Sequence, residues 1–166
     1  MAEVIMICGR LCCGKTTYAR RLVEKGNAAL LSIDEIMLSM FGQHCGDKHE
    51  EYAARAEEYL LKKAAELINA GVDVIFDWGF WREEQRRRIR AYFAAQGIGC
   101  RLHVIHIPEA EWMRRIEKRN TEVLSGTAEA YYVDENLMRK FEGLFEEPAE
   151  EEADVNIFIR LDCTEN

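Results

Sequence analysis

Residues 9–16 read Gly-Arg-Leu-Cys-Cys-Gly-Lys-Thr and satisfy the spacing G-x-x-x-x-G-K-[ST] at every fixed position. The chemistry this spacing permits is phosphate binding. Gly9 and Gly14 allow backbone angles that let successive N–H groups turn inward as a concave nest for phosphate oxygens. A helix beginning at the second glycine adds its unpaired N–H groups and the positive end of its dipole. Lys15 then reaches the β- and γ-phosphates of ATP, and Thr16 offers a hydroxyl to Mg²⁺. The expected nucleotide-binding segment is therefore Gly9, Arg10, Leu11, Cys12, Cys13, Gly14, Lys15, Thr16 and Thr17. The plain alternative is a tight glycine turn with no ligand. Cys12 and Cys13 read as small packing hydrophobes. A reactive thiol, favoured by a helix N-terminus, is the minority reading.

A phosphate loop does not choose an acceptor, so the other strand ends matter, since ligands of such sheets gather there. Ser32-Ile33-Asp34-Glu35 and Phe76-Asp77-Trp78-Gly79 each follow an apolar run. Asp34 is placed to take or orient an acceptor proton, and Asp77 to serve Mg²⁺ and substrate. The bland readings are a helix cap for Asp34 and a turn acid for Asp77. Trp78, Phe80 and Trp81 crowd the same strand end, as core packing or, for Trp78 and Trp81, as a platform for a planar acceptor. Arg115 and Arg119 stand four apart on one helical face and can neutralise phosphate charge as part of a mobile cover. His44, Cys45, Asp47 and His49 read as a polar loop because a second ligand pair is missing. His103 and His106 fall on opposite faces of a strand. No N-K-x-D segment supports guanine.

These residues need elements to hold them. Short apolar runs alternate with amphipathic stretches, the pattern of a parallel sheet wrapped by helices. Strands are predicted at Val4–Cys8, Ala28–Ile33, Val72–Phe76, Cys100–Ile107 and Asn156–Leu161. Helices are predicted at Thr16–Lys25, Asp34–Phe41, Glu50–Ala70 and Arg82–Ala95, with another after Pro108. The long one carries Tyr52, Ala56, Tyr59, Leu60, Lys63, Ala64 and Leu67 near a 3.6 period. The fold class is therefore a three-layer α/β/α sandwich on five strands. The 166 residues fit one domain with its own core.

With 48% hydrophobic and 31% charged residues, the balance is that of a globular protein, and no apolar run is long enough to span a membrane. The start MAEVIMICGR resembles neither a secretory signal nor an Arg-rich transit peptide, and six cysteines without repeated CxxC spacing fit a reduced, cytoplasmic chain. A net charge of −8 argues against nucleic acid and anionic membrane as partners. The charge is uneven: arginines crowd 82–90 and bases crowd 114–119, while Glu142–Asp154 carries seven acids and no base. Solvated helix faces explain the first stretch, and solvated surface the acidic one.

Four segments in order, GRLCCGKTT, LSIDEIMLSMFG, VDVIFDWGFWREEQRRRIR and RLHVIHIPEAEWMRRIEKRN, give the chain a resemblance to small AAA-type P-loop kinases. That group includes chloramphenicol phosphotransferase, the zeta toxins and the kinase domain of polynucleotide kinase. The resemblance implies a nucleoside-monophosphate-kinase-like sheet of order 2-3-1-4-5, ATP with Mg²⁺, and a single domain over 1–166 with a helical lid around 108–140. It implies Asp34 as general base, Asp77 at the end of strand three, Arg115 and Arg119 in the lid, and adenine near Pro148. Polynucleotide kinases of this type carry an arginine where this chain has Met37. The leading expectation is phosphoryl transfer from ATP to a hydroxyl of a small molecule, possibly a nucleoside or antibiotic. A 5′-hydroxyl nucleic-acid kinase, with Arg82–Arg90 along the strand, is the second reading. An ATP-binding switch without an acceptor is the third.

Overall fold

The computed structural model describes residues 1–42, 46–128 and 130–160. Five strands, β1 (Val4–Gly9), β2 (Ala28–Leu31), β3 (Asp73–Phe76), β4 (Cys100–His106) and β5 (Val155–Phe158), form one sheet in the order β2-β3-β1-β4-β5. Every pairing is parallel, as in Met6 opposite Phe76 and Leu102. The order is the expected one. Among the described residues six α-helices are seen: α1 (Lys15–Lys25), α2 (Ile33–Phe41), α3 (His49–Asn69), α4 (Glu83–Ala94), α5 (Glu109–Leu124) and α6 (Glu135–Leu144). The second strand is shorter than expected because Ser32 leaves the sheet to cap α2. Its side chain accepts from the Glu35 amide. Asp34 is thus not the cap, and its carboxylate is spared for other work.

Strand alternation builds two cores from one sheet. Val4, Met6 and Cys8 face α3 and α4, meeting Leu60, Leu61, Ala64, Ile89 and Phe93. Ile5 and Ile7 face α1 at Ala19, Tyr18 and Leu22. The stripe of α3 is shifted from the expected one. Leu60, Leu61, Ala64, Ala65 and Ile68 face the core, and Tyr59 is 58% exposed. A third cluster joins Trp112 and Ile116 of α5 to Leu11, Cys12, Leu137 and Met138, so the phosphate loop itself is part of a core. Met113, between Trp112 and Ile116 on the same helix, is exposed.

Two charged regions correct the sequence expectation. Arg86 is 1% exposed and donates from Nε to Glu152 at 2.5 Å and from Nη1 to the carbonyls of Phe80 and Glu146. Arg90 pairs with Asp154 at 2.6 Å, and Arg88 with Glu57. These arginines are therefore ties within the fold rather than a solvated face. Their partners make Glu152 and Asp154 counter-ions rather than free surface. Helix α6 overlaps the end of the expected helical lid around 108–140 and extends beyond it. Among the described residues no helix is long and apolar enough to cross a membrane.

Candidate active site

The carboxyl ends of β1, β2 and β3 open into a cleft of about 1470 Å³. Leu11, Cys12, Gly14, Lys15, Thr16 and Thr17 line it from the loop, Asp34 from α2, Asp77, Trp78 and Trp81 from the segment after β3, and Arg115 and Arg119 from α5. The cleft thus gathers both carboxylates and both arginines against the loop. Gly9, Arg10 and Cys13 serve the loop's framework instead of its lining. Pro148 is buried and does not line the cleft, whose other walls include Tyr18, Arg21, Ile157 and Ile159.

The loop's shape follows from close approaches. A Cβ on Gly9 would sit 2.6 Å from the Cys13 sulfur and 3.0 Å from the Ile105 carbonyl oxygen. Gly14, at φ +106°, caps α1, and a Cβ there would meet the Arg115 guanidinium at 2.8 Å. The second glycine therefore also admits the arginine. Cys12 takes φ 60°, a left-handed conformation unusual for a side chain of its kind. Arg119 Nη1 donates to its sulfur at 3.4 Å. Cys13 is fully buried, and burial pushes its thiol up, against the lowering effect of Lys15. That supports packing for Cys13.

Four loop carbonyls are held by named donors. Trp81 Nε1 donates to Gly9 O at 3.2 Å, and Lys15 Nζ to Gly9 O and Arg10 O at 3.0 and 2.8 Å. Trp112 Nε1 donates to Leu11 O at 2.6 Å and Arg115 Nη1 to Cys13 O at 3.0 Å. Each bond fixes a carbonyl of the loop and so the peptide plane that carries the next amide. Trp81 and Trp112 are thus site residues by a route that sequence reading missed for Trp112. The ring of Trp81 folds over Gly79, where a Cβ would lie 2.1 Å from it. Arg10 stacks on Trp112 at 3.5 Å and pairs with Glu109 at 2.6 Å.

Helix α5 supplies the cations already oriented. Glu111, 2% exposed, accepts from Arg114 Nε at 2.8 Å and Arg115 Nε at 2.6 Å, and these two guanidinium groups push its carboxyl down to about 2. Arg119 Nε donates to Tyr131 O at 3.2 Å. On the cleft wall, where Asp34 is open to solvent, desolvation by the surrounding protein pushes its carboxyl above its ordinary value. Lys15 and then Arg119 oppose the shift, Asp77 adds to it, and His49 lowers it slightly. The balance describes an acid close to cations and to a second acid, with desolvation dominant. Asp77 is 7% exposed and forms no ion pair or side-chain hydrogen bond among the described residues. Trp78 is 5% exposed and packs on Phe76 with a 4.1 Å centroid separation, so most of its ring belongs to the core. Of the expected polar loop, His44 and Cys45 lie outside the described residues. His49 starts α3, lines the cleft and meets Tyr131 edge-on at 6.0 Å. Among the described residues no three His, Cys, Asp or Glu side chains group to hold a metal. His103 lies on the α1 face, bonded to Tyr18 at 2.9 Å, and His106 reaches Asn156 at 2.7 Å.

A parallel sheet of this order, with a glycine loop between β1 and α1 and acids at the ends of the flanking strands, defines a P-loop nucleotide-binding domain. The chain belongs to the AAA domain family, which it matches over residues 4–148. No curated protein matches it. Solved structures share the fold at low identity. A protein of Chloroflexus aurantiacus J-10-fl described as a candidate kinase has TM-score 0.70 and 16% identity, covering 95% of this chain and 87% of its own. A sugar kinase of Janibacter sp. HTCC2649 has TM-score 0.64 and 16% identity, covering 96% and 85%. The APS kinase CysC of Mycobacterium tuberculosis, in complex with AMPPNP and APS, has TM-score 0.63 and 20% identity, covering 95% and 88%.

Proposed function

We propose that the chain is a kinase that transfers the γ-phosphoryl group of ATP to a hydroxyl of a small molecule, within one domain whose segment 108–140 serves as lid. The observation that carries this reading is Asp34: a solvent-open carboxyl on the wall of the same cleft as Lys15, Arg119 and Asp77, under the field of all three. A nucleotide sensor has no use for a free acid there. In the proposed reaction the acceptor hydroxyl oxygen bonds to the γ-phosphorus while the bond from that phosphorus to the β–γ bridging oxygen breaks. ADP leaves, and the hydroxyl proton passes to Asp34. Lys15, the loop amides, Arg115 and Arg119 stabilise the charge that spreads over the moving phosphoryl oxygens. Thr16 is exposed at the start of α1 and the Asp77 carboxylate has no side-chain partner among the described residues, which fits oxygen ligation of Mg²⁺ alongside the nucleotide's own phosphates. Bound there, the ion would neutralise phosphate charge. The four described cysteines are free thiols, in keeping with a reducing, cytoplasmic setting.

The test is γ-labelled ATP with Mg²⁺ and a pool of metabolites, nucleosides and antibiotics, run beside Asp34→Asn. The wild-type chain yields a labelled product. The variant binds ATP within twofold but loses about 10²–10⁴ in kcat. Because Asp34 must be ionised to accept a proton and desolvation within the cleft raises its pKa, the wild-type rate rises with pH through a value above that of an ordinary aspartate. A variant with full activity removes Asp34 from the chemistry. Slow ATP hydrolysis with no labelled acceptor points to the switch instead.

A further inference from the structure

The acceptor end of the cleft holds a constellation that the phosphoryl-transfer reading leaves unused. Glu57 of α3 accepts from Gln85 Nε2 at 2.6 Å and from the Arg88 guanidinium, both on α4. The Glu57 side chain is 13% exposed, and all three residues line the cleft that also holds Asp34. Resting on the kinase reading above, we propose that the acceptor is an uncharged polyol, of the sugar or nucleoside kind, whose non-reacting hydroxyls are held by Glu57, Gln85 and Arg88.

Three observations converge. First, the mutual bonds of the triad fix its side chains but do not exhaust them. Gln85 keeps its carbonyl oxygen, Arg88 keeps further N–H donors, and the Glu57 carboxylate keeps lone pairs. Planar groups that offer a donor beside an acceptor match neighbouring hydroxyls, each of which must both give and take a hydrogen bond. Second, Trp81 and Phe141 line the same cleft with ring centroids 4.1 Å apart, an apolar wall for the C–H face of a sugar or for a base. Third, the charge at this end disfavours an anion. Asp34, Asp77, Glu57, Glu50 and Glu84 line it. The cations Arg88 and Lys140 are already paired, with Glu57 and Glu50. Arg82 lines the cleft with no ion pair among the described residues, as do Arg20 and Arg21 of α1. Lys15, Arg115 and Arg119 stand at the loop, where the nucleotide's phosphates require them.

The test measures initial rates with γ-labelled ATP and paired acceptors: glucose against gluconate, and uridine against uridine 3′-monophosphate. We expect kcat/KM for the uncharged member of a pair to exceed that of its anionic counterpart at least tenfold. The pair that reacts separates sugar from nucleoside. Glu57→Gln raises the acceptor KM about tenfold or more, since a site built for hydroxyls loses its partner. The same variant leaves kcat and the KM for ATP within twofold. Gln85→Ala, which spares the Glu57–Arg88 pair, raises the acceptor KM in the same sense and guards against a folding defect in Glu57→Gln. Preference for the anionic member overturns the proposal while leaving the kinase reading intact, as does an acceptor KM unmoved by both variants. Transfer to none of the four overturns the polyol assignment, and the kinase reading is then decided by the labelled metabolite pool alone.

Discussion

Two arginine-rich stretches, 82–90 and 114–119, look alike in the sequence and are put to opposite uses. In α4 the counter-charges come from far along the chain. Arg86 meets Glu152, Arg90 meets Asp154, and Arg88 meets Glu57. These pairs stitch α4 to α3 and to the acidic segment before β5. In α5 the counter-charge is local. Glu111 sits three and four residues before Arg114 and Arg115 and pins both. Pinned from behind, Arg115 still reaches Cys13 O, and Arg119 one turn later reaches the Cys12 sulfur. Arginine density therefore says little about function. What decides is whether the partner carboxylate arrives from another element, which consumes the charge in folding, or from the same helix, which aims it.

The comparison can be broken at its heaviest point. Arg86→Met strips a 1% exposed guanidinium and leaves Glu152 and two carbonyls short of a donor. Breaking a buried pair from one side costs about 3–5 kcal/mol, read as a lower urea midpoint. ATP affinity of the folded protein stays within twofold. Arg119→Ala should do the reverse. Loss of one donor to developing charge lowers kcat about 10²–10³-fold, with the urea midpoint almost unmoved. An Arg86 variant that folds normally but fails to transfer phosphate would erase the distinction, as would an Arg119 variant that unfolds. A smaller effect sharpens the role of the α5 anchor. Trp112→Phe keeps most of the apolar contact and removes the hydrogen bond to Leu11 O. It should cost about 1 kcal/mol of stability, seen in the same denaturation curve, and weaken ATP binding several-fold as the loop carbonyl is released.

The division between the two stretches also explains what the sequence could and could not convey. The phosphate loop was legible because it rests on identities and spacing, Gly9, Gly14, Lys15 and Thr16 after a continuous apolar run, and the strand order came with the family resemblance that such motifs carry. Asp34 and Asp77 were legible because strand ends are where such folds place chemistry. The loop's anchors were not. Trp112 and Arg115 bind carbonyls of Leu11 and Cys13, and a carbonyl carries no side-chain identity to pair with. The partners of Arg86 and Arg90 were hidden by distance, more than sixty residues along the chain. Helix α6 had a readable signal in Asp134, whose side chain accepts from the Leu137 amide, followed by Leu137, Met138 and Phe141 on one face. The acids that follow drew attention to charge instead of period.

The smallest expected effect is the sharpest control. Arg87 sits between Arg86 and Arg88, yet its side chain is 77% exposed and only approaches Glu83 at 4.0 Å. An exposed pair at that separation contributes little, because water screens it and two long side chains must be ordered to form it. Arg87→Ala should move stability by no more than about 0.5 kcal/mol and leave kcat and both KM values unchanged, measured beside Arg86→Met in the same buffers. The two variants remove the same charge from adjacent positions, so any difference between them is owed to partners and burial and not to net charge. A tenfold loss of transfer in Arg87→Ala would instead mean that the outer face of α4 meets a ligand during the reaction. Substrate recognition would then extend beyond Gln85 and Arg88 to the outer face of α4, and a long anionic acceptor such as a nucleic-acid strand would return as the better reading.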